Sequence, residues 1–261
     1  KNLNTDIVSV ITQTQQFPTV SQKELAHQIE AKKKSEYKLP TWFNTPQIYY
    51  AKKLSIEQTS SEKTARYKAS LVAGKTMLDM TGGFGVDTYF FSSRFEVVHH
   101  CEKNQELSVI AQHNHVALNG GEALFHAEDA LVFLKNSTQN WDWIYLDPAR
   151  RKDHVGKVFL FQDCEPNVIE ILPLLFEKTE NVLIKAAPLL DITKAKNDLA
   201  HLKEIHIVAV RNEVKEVLYV LQKGYQGIVH YKTINLGQPQ NESFDFNLAE
   251  ETNAVSQFGP P

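Results

Sequence analysis

Cysteine is scarce in this chain: Cys101 and Cys164 are the only two among 261 residues. Two thiols this far apart supply neither a disulfide framework nor the paired spacing of a structural zinc site, so no metal is expected. A long apolar run is missing as well. No stretch approaches the roughly 18 residues of a membrane span, and the opening Lys1-Asn2-Leu3-Asn4 lacks the apolar core of a secretion signal. The expected location is cytoplasmic, with no membrane partner. An excess of one charge is also absent, the formal net charge being -3. With no global basic field, any contact with nucleic acid has to be local or come from further parts. Repeats and low-complexity tracts are not found. What is present is an ordinary globular balance, 42% hydrophobic and 23% charged, which excludes a disordered or fibrous chain. The length suits one large domain with a small appendage. The chain does not start with methionine and closes on the turn-like Phe258-Gly259-Pro260-Pro261, so it reads as a fragment of a longer protein.

Residues 1–58 contain short helical patterns broken at Pro18, Pro40 and Pro46. Lys32-Lys33-Lys34 lies in the second of these, over about residues 21–34, and reads as a solvated helix face. Thr59-Ser60-Ser61-Glu62 has the spacing of a capping box and predicts a helix running to about Ala73. From Thr76 onward the rhythm changes. Short β-rich runs at 76–80, 96–102, 123–129, 141–147, 181–187 and 204–210 alternate with helical stretches, clearest at 104–119 and 162–178. Alternation at this spacing predicts a parallel sheet covered on both faces. Arg211-Asn212-Glu213 then predicts a tight turn into a seventh run, 214–223, which must be antiparallel because a parallel partner needs a long crossover. Beyond Gly224 the tail is strand-like near 228–235 and then polar. The expected architecture is α/β and Rossmann-like: a helical region 1–58, a domain 59–224 with a seven-stranded mostly parallel sheet ending in an antiparallel hairpin, and an extension 225–261 leading to a further domain.

One turn stands out for chemistry. Met77-Leu78-Asp79-Met80-Thr81-Gly82-Gly83-Phe84-Gly85-Val86-Asp87 is a strand that ends in an acid and a glycine-rich bend opening a helix. Glycines let the backbone adopt positive φ and approach a ligand, and the open N–H groups of a helix start favour polar or anionic groups. Such a bend alone could be no more than a tight connection. A dinucleotide fingerprint also needs a third glycine, and Thr88 stands in its place, which disfavours NAD and suits a ligand without a diphosphate. Glu102 lies 20 residues past Gly82, at the end of the second run, where a carboxylate can accept both hydroxyls of a ribose. Asp129 follows the third run and can either accept an adenine amino group or cap the next helix. All three positions are carboxyl ends of consecutive strands, where open α/β sheets bind ligands.

The fourth run ends Trp141-Asp142-Trp143-Ile144-Tyr145-Leu146-Asp147-Pro148-Ala149-Arg150-Arg151-Lys152. Its carboxylate would sit beside the ligand, and Arg150 can hold a phosphate or a polar acceptor. Taken together, MLDMTGGFGVD, HHCEKN, HAEDA and YLDPARR resemble motifs I to IV of class I S-adenosylmethionine-dependent methyltransferases. More narrowly, EQTSSEKTARYKASL upstream of TGGFGVDT and LDPARR resembles the bacterial methyltransferases that carry a C-terminal THUMP-like domain. The resemblance covers about residues 56–223. The final hairpin agrees with it, since Rossmann domains of oxidoreductases normally lack one.

The resemblance implies that Asp79, Thr81, Gly82, Gly83 and Gly85 surround the methionine part of S-adenosyl-L-methionine, that Glu102 with Lys103 takes the ribose, and that Asp129 with Ala130 takes the adenine. Gln58 would reach the cofactor's carboxylate, as a glutamine does in the similar uridine-methylating RNA enzymes. Asp147, Pro148 and Arg150 form the expected catalytic group. Two departures matter. Enzymes of exocyclic amines usually carry Pro then an aromatic ring where Ala149 and Arg150 stand. The uridine C5 enzymes need a cysteine after the fifth strand, where this chain reads Ile184-Lys185-Ala186-Ala187-Pro188; Cys164 falls in a predicted helix and reads as core. RNA, ribosomal or transfer, is the expected substrate, with Lys52, Lys53, Arg66, Lys68, Arg150, Arg151 and Lys152 as local basic residues. A small-molecule or protein methyltransferase and a non-catalytic module of the same fold are the alternatives.

Overall fold

The computed structural model describes residues 3, 6–12, 17–51, 56–150, 160–237, 240–247 and 249–250. They belong to two compact units, Lys1–Ser137 and Thr138–Pro261. Lys52, Lys53, Arg151, Lys152 and the closing Phe258–Pro261 turn lie outside the described residues.

The first unit opens with helices α1 (Ile7–Thr12), α2 (Gln22–Lys38), α3 (Pro40–Asn44) and α4 (Glu62–Ser70). Ser21 caps α2 by accepting from the Glu24 N–H. The helix runs past Lys34 to Lys38 and stops where Pro40 bars its predecessor from helical geometry. Lys34 pairs with Glu30 one turn back, as a solvated face would. The start of α4 differs from the expected capping box. Ser61, not Thr59, is the cap, its hydroxyl accepting from the Thr64 N–H. Glu62 turns instead to α3, where its carboxylate accepts from the Thr41 N–H and hydroxyl, filling an open donor at that helix's start. The helix ends at Ser70 because Gly74 already begins a strand.

Strands β1 (Gly74–Asp79), β2 (Phe95–Cys101) and β3 (Ala123–His126) follow, with helices α5 (Val86–Phe91), α6 (Gln105–Ala117) and α7 (Ala130–Asn136) after each. The pairs β1/β2 and β2/β3 are parallel. The N-terminal helices are stitched onto α6. The Asn114 amide brackets the backbone of Tyr49 with two 2.9 Å bonds, and His113 meets the Gln47 carbonyl at 2.8 Å. Trp42 is buried edge-on against Tyr89.

The second unit holds β4 (Trp143–Leu146), β5 (Ala149–Arg150), β6 (Cys164–Glu165), α8 (Val168–Lys178), β7 (Asn181–Ala186), α9 (Ile192–Asp198), β8 (Leu202–Val210), β9 (Glu213–Gln222), β10 (His230–Leu236) and β11 (Glu242–Asn247). β4 and β7 are parallel, β9 is antiparallel to both β7 and β8, β10 is parallel to β8, and β11 closes antiparallel on β10. Arg211 and Asn212 both take positive φ, +53° and +64°, which is the backbone of a two-residue hairpin turn. Among the described residues the main sheet has nine strands, against the seven expected. The additional pair is β10 and β11, held by the burial of Tyr231 and Leu236 and by stacking of Tyr231 on Phe246.

The expected helix at 162–178 begins only at Val168. Pro166 removes an N–H and excludes helical geometry just before it, so Cys164–Glu165 pairs instead with Ala149–Arg150. Cys164 is buried, in a strand rather than a helix. Among the described residues no helix is long and apolar enough to cross a membrane.

Candidate functional site

β1 delivers Asp79 to the start of the glycine bend with its side chain almost fully buried. One carboxylate oxygen accepts from the Thr81 N–H at 3.0 Å and the other from the Thr88 hydroxyl at 2.7 Å. The acid therefore ties the bend's first residue to the first turns of α5. Gly83 and Gly85 sit at φ +53° and +82°, conformations that strain any L side chain. Gly82 needs its hydrogen for a different reason. A Cβ there would lie 2.3 Å from the ring of His100.

The tip of β2 grips the bend from beneath. The Cys101 carbonyl accepts from the Gly82 N–H at 2.9 Å, and the Glu102 carboxylate accepts from the Gly83 N–H at 3.2 Å. His100, two residues before Glu102 and on the same strand face, is fully buried, with Phe125 packed against it. Burial holds its imidazole neutral, down to about 4. Glu102 is held again by the Asn104 N–H at 2.7 Å, and Lys103 beside it is exposed. Cys101 faces the opposite side, and burial pushes its thiol well above the usual range.

Asp129 caps α7, its Oδ1 accepting from the N–H groups of Leu131 and Val132. Ala130 is the first residue of that helix and half-buried. Gln58 ends a short 3₁₀ turn before α4 and is exposed.

Lys68 corrects an expectation. It is not a surface cation: its side chain is fully buried, 3.2 Å from both the Asp87 carboxylate and the Ser60 hydroxyl, while Ser60 also donates to Asp87 at 2.8 Å. A buried ammonium needs such partners, and they fasten α4 to the first turn of α5, just past the glycines. Arg66, on the same helix, is exposed and lies over the Phe90 ring. The spacing Ser60…Lys68…Asp87 carries no periodic signal, so the cluster was hidden in the sequence.

In the second unit, Asp147 follows the tip of β4 and is half-buried, with Pro148 buried behind it. Arg150 is exposed on the ribbon formed by β5 and β6. Asp147 forms an ion pair with Lys185, a residue that no motif in the sequence singles out. The register pairs Leu146 with Ile184, so Asp147 and Lys185 are the next residues along two parallel strands. Val182, Leu183 and Ile184 are wholly buried, which makes a lysine in the same strand costly without a partner. Among the described residues no group of three or more His, Cys, Asp or Glu could hold a metal ion.

No protein-family model and no curated protein matches the sequence. Solved structures do. A candidate methyltransferase from Porphyromonas gingivalis W83 is similar over 99% of this chain and 65% of its own, with 29% identity and a TM-score of 0.88. The chain thus spans just under two thirds of that protein. A 16S rRNA N2 methyltransferase from T. Thermophilus, in complex with AdoMet and guanosine, matches 65% of this chain and 45% of its own at 13% identity, TM-score 0.47. A class I S-adenosylmethionine-dependent methyltransferase described from Listeria monocytogenes matches 82% and 72% at 10% identity, TM-score 0.49. The Porphyromonas gingivalis likeness gives the fold, which is α/β and methyltransferase-like with a mixed sheet.

Proposed function

We propose that this chain is the catalytic part of a class I S-adenosylmethionine-dependent methyltransferase that modifies a base of ribosomal or transfer RNA in the cytoplasm. The observation that carries the reading is the glycine bend. Its Gly83 N–H is held by Glu102, Asp79 is locked beneath it, and two of its glycines take positive φ. That arrangement fits an adenosyl sulfonium better than a dinucleotide. The third glycine that would let a pyrophosphate helix pack closely is replaced by Thr88, whose hydroxyl is committed to Asp79. Asp79, Thr81, Gly82, Gly83 and Gly85 would line the methionine part, Glu102 and Lys103 the ribose, and Asp129 and Ala130 the adenine. Gln58 would reach the cofactor's carboxylate. S-adenosylmethionine supplies an activated methyl group, and the residues contribute position and exclusion of water, the main levers of such a displacement.

The RNA part rests on the resemblance of residues 56–223 to the bacterial methyltransferases with a C-terminal THUMP-like domain and on the local basic residues, of which Arg150 and Arg66 are exposed. A THUMP-like domain in the remainder of a longer protein, completing the RNA contact, belongs to the same proposal. Calorimetry with S-adenosylmethionine tests the cofactor. Binding is expected, and Glu102→Ala should weaken it at least about tenfold by removing a charge-assisted acceptor. Absence of heat in the unaltered protein would sink the reading. Mass spectrometry of RNA nucleosides from cells with and without the gene then tests the substrate.

A further inference from the structure

Resting on that reading, we infer that Asp147 and Lys185 act together on a lactam edge of the acceptor base, the ring N–H beside a carbonyl found in guanine and uracil, and not on an exocyclic amine. The inference starts from the ion pair. A carboxylate and an ammonium stand side by side at the tips of adjacent parallel strands, Asp147 being half-buried and Lys185 mostly buried. Beneath them the strands are sealed, with Ile144, Tyr145, Leu146, Val182, Leu183 and Ile184 all essentially inaccessible. The pair is therefore fixed by two rigid strands and lies where the core gives way to solvent.

Charge decides which acceptor suits it. An exocyclic amine attacks as a neutral group and becomes cationic, so it gains from acceptors alone, and an ammonium alongside opposes it. A lactam nitrogen must lose its proton, and the negative charge so formed spreads onto the neighbouring carbonyl oxygen. Asp147 can take that proton while the Lys185 ammonium donates to the oxygen, which is general-base and electrostatic help in one pair. The balance closes. The ring N–H proton passes to an Asp147 oxygen, and the nitrogen pair forms the new C–N bond. The electrons of the broken C–S bond remain on sulfur, and Lys185 keeps all its protons. The sequence agrees from an independent side, since Ala149 and Arg150 stand where amine-modifying enzymes place proline and an aromatic ring.

The test uses the full chain with S-adenosylmethionine carrying a labelled methyl group and bulk RNA from a strain lacking the gene, digested to nucleosides. Label on N1 of guanosine or N3 of uridine is expected, and label on guanosine N7, which has no proton to give up, counts against the inference. Label on an exocyclic amine of adenosine, cytidine or guanosine, or on a ribose hydroxyl, overturns the inference and leaves the cofactor site standing. No label at all, with calorimetric binding of S-adenosylmethionine intact, overturns this inference and the RNA reading together. Lys185→Met should lose at least about a hundredfold in turnover, the scale of one electrostatic donor, with cofactor affinity unchanged, and should recover as the pH rises and the lactam ionises unaided. Lys185→Arg should restore most of the rate. A Lys185→Met variant as fast as the unaltered chain, or equally slow at every pH, contradicts the role.

Discussion

Thr88 donates its hydroxyl to Asp79 across 2.7 Å, and both side chains are sealed from solvent. The contact makes a single unit of a strand end and the helix that follows the glycine bend. Thr88→Val keeps the shape of the residue and removes the donor. A buried carboxylate that loses such a bond should cost about 1–3 kcal/mol, measured as a lower denaturant midpoint at unchanged slope. Thr88→Ser should recover most of the loss.

Gly82 and His100 test packing. The 2.3 Å approach that a Cβ at Gly82 would make to the ring leaves no room for Gly82→Ala. Overpacking should cost about 1–3 kcal/mol and disturb the bend. His100→Ala opens that space, so the double variant should be more stable than the two losses summed predict. Strict additivity in the cycle would show that the clash is relieved elsewhere.

Lys68 should be far more sensitive than any exposed lysine. Removing one member of a buried ion pair costs about 3–5 kcal/mol, and Lys68→Met leaves Asp87 without its ammonium. Lys33→Met, on the exposed face of α2, should change stability by no more than about 0.5 kcal/mol. Thermal unfolding of the two variants separates a structural lysine from a solvated one.

Glu204 sets an acid limb. The hydrogen bond from His206, with further help from Lys232, holds its carboxyl down at about 2, below the ordinary 4.5. A depressed carboxyl contributes stability above its unfolded value, and that contribution fades as the pH falls from about 4.5 toward 2. Unfolding followed across that window should show a shallower pH slope for Glu204→Gln than for the unaltered chain.

Neither thiol should react in the folded state. Cys101 and Cys164 are both buried, and burial raises the Cys101 thiol away from its reactive form. A thiol reagent should modify both only after denaturant is added. Fast modification of either one in the native protein would reopen covalent C5 chemistry.

Much of this was written locally in the chain. Apolar runs such as 141–147 and 181–187 marked strands that are buried on both sides, and the short gap at Arg211-Asn212-Glu213 between two β-rich runs marked the hairpin, although Asn212 alone of the two positive-φ residues is of a type that takes that backbone readily. The acid-glycine order placed Asp79 and Glu102 around one bend. What escaped was non-local. Lys68 looked like surface charge until Ser60 and Asp87 were seen around it. Lys185 meets Asp147 only through the β4/β7 register, and Cys164 leaves its expected helix to pair with Arg150. β11 was missed because Glu242-Ser243-Phe244-Asp245-Phe246-Asn247 offers only two apolar residues, Phe244 and Phe246, in a tail that is otherwise polar and mostly exposed.

The place of β9 bears on how the second unit folds. That strand is late in the order of synthesis yet lies between β7 and β8, pairing with each. While the ribosome is still making residues before Glu213, β7 carries a naked apolar edge, Val182 to Ile184, with no mate to cover it. Collapse must wait for the hairpin to swing back and slot in, a long-range closure of the kind that slows folding. A truncation at Val210 would make that wait permanent and should aggregate through the open edge.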